Sequence, residues 1–226
     1  MDTMTLFILC VAVPLVIGLA VQGWLRNTFA KNNRVPVGSG MTGADVARRI
    51  LDSNGLQSVP VQPSKAGPLS DHYDPRTRGV FLSEAVYSGR SVAATAVAAH
   101  EVGHAIQHAT AYVPMRLRSA IWPVASFGSQ AWFFILIIGV IFGAFGLVQL
   151  ALIVFALVIV FQFVTLPVEF NASRRAMAQI RELRLVSDAE AVGARQTLTA
   201  AAMTYVAGSL ASIAQLLYFL AIFGRN

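Results

Sequence analysis

The charged positions of this chain fall in blocks, and the stretches between the blocks are apolar. No Asp, Glu, Lys or Arg occurs in residues 3–25, 119–168 or 196–224. A helix crosses a bilayer with about 20 mostly apolar residues. The first and last gaps therefore each fit one span. The middle gap fits two, with "GAFGLVQ" (143–149) as the turn between them. The pattern predicts a mainly α integral membrane protein with about four transmembrane helices. Span 1 falls in 1–25, spans 2 and 3 in 119–168, and span 4 with a short C-terminal tail in 196–226. The first apolar run could also be a secretory signal peptide, but only Asp2 is charged before it and no A-x-A-like site follows closely. The anchor reading is preferred.

Two polar segments remain. In 26–118, "MTGADVARRILDSNGL" predicts a short helix with Thr42 as N-cap, Val46, Ile50 and Leu51 on one face, and Gly55 at its end. From 57 to 83 the texture changes to Pro, Gly, Ser and Asp around two β-type stretches, "SVPVQP" and "RGVFLS". Ser91 can then cap a long helix over 91–112, stopped by Pro114. The second segment, 169–195, has helical character, and Ser187 and Glu190 are spaced as a capping box before the last span.

Composition agrees with the membrane reading: 56% of the 226 residues are hydrophobic and 12% charged, against roughly 25% charged in an average soluble domain. The net charge of +6 does not point to nucleic acid, because the basic residues form no run and carry no aromatic interleaving. Their placement speaks to topology instead. Of 17 Lys and Arg, eleven lie in 26–118 and five in 169–195. Positive residues near span ends favour the cytoplasmic side. Both polar segments are expected there and both termini outside, with Arg225 as a mild dissent. The single cysteine, Cys10, sits inside the first span and allows no intrachain disulfide.

Three of the four histidines lie in "AAHEVGHAIQHAT", four residues apart. On a helix, positions i and i+4 share a face about 6 Å apart, so His100 and His104 can direct two imidazoles at one ion. Glu101 completes an H-E-x-x-H pattern, in which the glutamate serves as general base to the water that zinc activates. The alternative is a polar helix face that is merely solvated. The flanks are nearly all small and apolar, however, and a buried polar residue needs a partner. A catalytic zinc takes three protein ligands. His108 continues the stripe but lies two turns from His100 on a straight helix, which favours a supporting role. The metzincin arrangement would need His at Thr110 and is excluded. Beyond Glu101 the acids are Glu169, Glu182, Asp188 and Glu190. Glu169 ends the 50-residue uncharged run, where a carboxylate needs a partner. Glu169 is the predicted third ligand, with pairing to Arg174 or Arg175 as the alternative.

The stretch "DHYDPRTRGVFLSEAVYSGRSVAATAVAAHEVGHAIQH", the "LPVEFNASRRA" segment and the "AAAMTYVAGSLASIAQLL" end together resemble the YugP-like neutral zinc metallopeptidases of bacteria, over about 42–217 plus the anchor. The layout is also similar to HtpX-like and CAAX-prenyl membrane peptidases. The resemblance implies a small α+β zincin-like domain at 26–118, with His100, His104 and Glu169 as ligands of one zinc ion and Glu101 as base. It further implies that Val80, Phe81 and Leu82 form an edge strand to which an extended peptide adds. HtpX-like enzymes carry an aspartate four residues after the ligand glutamate. Here Ser173 stands there, so only a supporting role beside the metal is considered for it. Arg195 and Tyr205 are candidates for stabilising the oxyanion. Asp71, His72 and Asp74 could form a second metal or substrate site, or simply a solvated turn before Pro75.

The expected function is a multi-pass peptidase of the bacterial plasma membrane, cutting peptides or membrane proteins at the cytoplasmic face. Two rivals differ in class. A non-catalytic scaffold with a structural zinc would enlist His72 or His108 as fourth ligand. A transporter would place the histidine stripe within the bilayer, although Arg90 and Arg116 flank that helix.

Overall fold

The computed structural model describes residues 2–67 and 69–224; Arg225 lies outside them. Eight α-helices and three short strands follow in the order α1 (Thr3–Phe7), a π-helical turn (Ile8–Ala12), α2 (Val13–Asn33), α3 (Gly43–Ser53), β1 (Val61–Pro63), β2 (His72–Asp74), β3 (Gly79–Leu82), α4 (Glu84–Tyr87), α5 (Val92–Ala109), α6 (Val113–Ile141), α7 (Phe145–Glu182) and α8 (Asp188–Phe223). Among the described residues, four helical stretches are long and apolar enough to cross a membrane: Thr3–Asn33, Val113–Ile141, Phe145–Glu182 and Asp188–Phe223.

The expected turn at 143–149 is tighter than the sequence suggested. Only residues 142–144 separate α6 from α7, and Gly143 takes the left-handed φ of 61° that the reversal needs. The polar segment 169–195 is not a separate element. Its first half prolongs α7, which at 38 residues is about 57 Å long, far more than a bilayer core requires.

The chain divides into two compact units. One gathers 2–22, 116–167 and 203–224. Trp132 stacks on Phe155 there, with ring centroids 4.1 Å apart, and Leu136, Val148 and Ala151 pack together. Gln162 donates to the Ser212 hydroxyl, joining α7 to α8. Large apolar side chains such as Phe127 and Phe134 are mostly exposed, a surface suited to lipid rather than water.

The second unit comprises Gly23–Met115 and Val168–Ala202. Its core joins Val46, Ile50 and Leu51 of α3, Val80 and Leu82 of β3, Val102 of α5 and Ile180 of α7. Helix α3 begins at Thr42, the N-cap its sequence predicts, and Asp45 completes a reciprocal capping box with it. Ser187 and Glu190 do the same for α8, and Glu190 also accepts the Gly38 N–H at 2.7 Å. Asn32, at the end of α2, donates to the Gly193 carbonyl and the Thr197 hydroxyl of α8.

The sheet has the order β1-β3-β2, with β1 parallel and β2 antiparallel to β3. This corrects the expectation of an edge strand at Val80, Phe81 and Leu82, which form the middle strand. The physical reason lies in both neighbours. Val80 and Leu82 are fully buried, as a central strand requires, whereas Pro63 in β1 cannot donate to a ladder and suits an edge. The other edge is β2, at residues where the sequence favours a turn. The turn itself follows it: Asp74 accepts the Arg76 N–H and the Thr77 hydroxyl, and Arg78 takes a left-handed φ of 52° before β3.

Candidate metal centre

Helix α5 positions the first two candidates. Ser91 caps it by accepting the Ala94 N–H, and its alanine-rich first half is buried. Alanine has the highest helix propensity and a small side chain, so this helix can sit in the core without bulk. His100, Glu101 and His104 follow from its midpoint onward. Helix α7 crosses closely, because Gly103 faces the backbone of Ala172, and that approach brings Glu169 alongside.

One Glu169 carboxylate oxygen, Oε2, lies 3.2 Å from His100 Nε2 and 3.6 Å from His104 Nε2. The ligand-capable atoms of the three residues all fall within 4.8 Å of one another. Donors held about 2.1 Å from a tetrahedral zinc lie about 3.4 Å apart, so this set fits a single ion. Its chemistry fits as well: two imidazoles and a carboxylate match known three-ligand zinc sites. Glu169 is 3% exposed and His104 7%. Such a carboxylate needs compensation, and the two imidazoles supply it. Among the described residues no arginine pairs with Glu169; Arg175 instead donates to the Asn171 side chain.

Each histidine uses its other ring nitrogen for support. His100 Nδ1 meets the Ser173 hydroxyl at 3.2 Å, and His104 Nδ1 meets Gln107 Oε1 at 3.0 Å. Such contacts orient ligand rings. Gln107 was missed, although a glutamine inside the apolar "AIQHA" stretch is a signal that a buried amide has partners.

Glu101 is buried beside this group. Burial pushes its carboxyl up to about 7; neighbouring Glu169 and Asp71 push the same way, against His100 and the Tyr73 backbone N–H. Tyr73 belongs to β2, so that strand lies against Glu101. Its hydroxyl also meets His108 Nδ1 at 2.7 Å. His108 is therefore engaged with Tyr73 and stands outside the three-residue cluster. His72 is similarly occupied, stacked on Phe81 with its Nδ1 2.8 Å from the Ser70 carbonyl oxygen. Neither residue belongs to the three-residue cluster.

The "DHYD" residues are not drawn together as a second metal cluster. Asp71 accepts the backbone N–H and hydroxyl of Ser83, with burial raising its carboxyl, while Asp74 caps the following turn. Arg195 is exposed on α8, and among the described residues no hydrogen bond or ion pair links it to the cluster. Tyr205 belongs to the other unit.

Comparisons with known proteins agree with this chemistry. Residues 7–224 match the family model described as "Putative neutral zinc metallopeptidase". The chain is 45% identical over 223 residues to "Putative membrane protease YugP" of Bacillus subtilis (strain 168), covering 98% of this chain and 99% of that one. No solved structure matches. A match of this extent to the family model, with a relative aligned over nearly its whole length, shows that the chain belongs to the YugP-like family of neutral zinc metallopeptidases.

Proposed function

We propose that this protein is a membrane-integrated, zinc-dependent endopeptidase with a zincin-like site in the unit formed by Gly23–Met115 and Val168–Ala202. The observation that carries this reading is the convergence of His100, His104 and Glu169 beside a buried Glu101. The three would hold one zinc ion per chain. Bound there, zinc supplies Lewis acidity, polarising a carbonyl and lowering the pKa of water. Glu101 acts as the base: its carboxylate takes the proton of the attacking water and delivers it to the leaving amine nitrogen.

An extended peptide would add to β2 rather than to β3. Strand β2 is an outer strand of the sheet, and its Tyr73 backbone lies next to Glu101. Backbone pairing there gives affinity without demanding one sequence. The substrates are peptides or membrane proteins, the setting is the bacterial plasma membrane with its lipid, the site opens at the cytoplasmic face, and nucleic acid plays no part.

The test is metal-dependent proteolysis by the full chain purified in detergent. The protein should contain zinc and cleave members of a peptide mixture, lose cleavage on chelation and regain it with zinc. Glu169→Ala should lose both zinc and cleavage. An unchanged zinc content in that variant would move the third ligand elsewhere, and absent cleavage by the zinc-loaded wild type would favour the scaffold reading.

A further inference from the structure

Gln107 is fully buried on α5, just under one turn beyond His104. Its side chain bridges three groups. Oε1 lies 3.0 Å from His104 Nδ1, while Nε2 donates to the Val168 carbonyl at 2.8 Å and to Asn171 Oδ1 at 3.0 Å. Asn171 Oδ1 in turn accepts the Nε–H of Arg175 at 2.8 Å.

The direction of these bonds follows from their outer ends. A guanidinium can only donate, so the Asn171 atom facing Arg175 is its oxygen. A backbone carbonyl can only accept, and so can that oxygen. Both therefore demand the NH2 of Gln107. A flipped Gln107 would set its oxygen against two acceptors, at the cost of buried unsatisfied groups. The Gln107 atom left for His104 is thus an acceptor, and His104 Nδ1 must carry the hydrogen. In a neutral imidazole the lone pair then resides on Nε2, the atom that faces Glu169. His100 has no such constraint, because the Ser173 hydroxyl beside its Nδ1 can donate or accept.

We propose that Arg175, Asn171 and Gln107 form a hydrogen-bond relay of fixed polarity that holds His104 in its Nδ1–H tautomer and so presents Nε2 to the metal. Gln107 is a positioning residue. The same amide ties α5 to the turn of α7 that carries Glu169, since its Val168 partner is the preceding residue. The inference rests on the metal-site reading above. Removing such a partner costs roughly 10–100-fold in metal affinity.

The experiment uses the full chain in detergent. Zinc affinity is measured by chelator competition for the wild type, Gln107→Leu and Gln107→Glu. The 15N-histidine spectrum of the metal-free wild type is recorded at a pH where the imidazoles are neutral, with His104 assigned by its loss in His104→Asn. The relay predicts an Nδ1–H signature for His104 and a roughly 10–100-fold weaker zinc affinity in Gln107→Leu. Gln107→Glu, protonated in this buried setting, keeps an acceptor opposite Nδ1 and one O–H to donate toward Val168 or Asn171, and should bind zinc more tightly than Gln107→Leu. A Gln107 that merely fills space predicts the reverse order, because a buried carboxyl is costlier than a leucine. An Nε2–H His104 in the wild type, or Gln107→Leu binding at least as tightly as Gln107→Glu, overturns the proposal. Should Gln107→Leu fail to fold, the wild-type spectrum alone decides. A wild type with Nδ1–H His104 but no zinc affinity would leave the relay standing and contradict the metal-site reading instead.

Discussion

A methyl group added at Gly103 would sit 2.7 Å from the backbone oxygen of Ala172. Helices α5 and α7 approach that closely just where one carries His100 and His104 and the other carries Glu169. The contact is backbone, so no flexible side chain can yield to relieve it.

Gly103→Ala should therefore push the two helices apart and open the 3.2 and 3.6 Å spacings of the donor atoms. Overpacking of this kind costs about 1–3 kcal/mol. The expected outcome is a lower thermal midpoint together with a zinc affinity at least about tenfold weaker, the lower end of what disturbed ligand support costs. Chelator competition would show it, and wild-type affinity in Gly103→Ala would mean that the helix approach does not set the site.

Glu101 gives a pH signature in the metal-free protein. Its carboxyl is raised by burial from 4.5 to about 7, so between those values the folded chain holds a proton that the unfolded chain has released. Stability must then fall as pH rises through this window. Gln cannot ionise. Metal-free Glu101→Gln should match the wild type near pH 4.5 and exceed it progressively up to about pH 8, by at most about 3 kcal/mol. Thermal midpoints across that range check this, and a constant difference would contradict it.

Topology can be read with cysteines. Cys10 is the only cysteine, so a Cys10→Ser background is free of thiols. Gln57 is exposed in the unit that holds the metal centre, and Phe142 is exposed at the tight turn between α6 and α7. A membrane-impermeant maleimide applied to intact cells should label Phe142→Cys but reach Gln57→Cys only after lysis. Labelling in the opposite order would put the site outside the cytoplasm.

Much of this protein was legible in its sequence because the signals were long or chemically specific. The uncharged runs marked the four apolar helices, and Thr42 and the Ser187–Glu190 pair marked two helix starts. His100 and His104 share a helix face by spacing alone. Glu169 could be singled out because it is the first charge after 50 uncharged residues. Pairwise tertiary facts were less visible. Whether Val80–Leu82 is an edge or a centre depends on what pairs with it, and β2 is only three residues long, too short for periodicity to register. The Tyr73–His108 contact spans 35 residues and joins a strand to a helix, which no local pattern encodes. Gln107 announced only that a buried amide needed partners; its bonds to His104, Val168 and Asn171 depend on how closely α5 meets α7.

The most direct measurement pairs zinc content with peptide cleavage in Glu101→Gln. The substitution removes the proton-accepting carboxylate but leaves His100, His104 and Glu169 in place. The account predicts zinc bound at the wild-type ratio of one per chain and cleavage of a peptide mixture reduced by roughly 10²-fold or more, the lower end of what a general base contributes. Cleavage by zinc-loaded Glu101→Gln at the wild-type rate would contradict it.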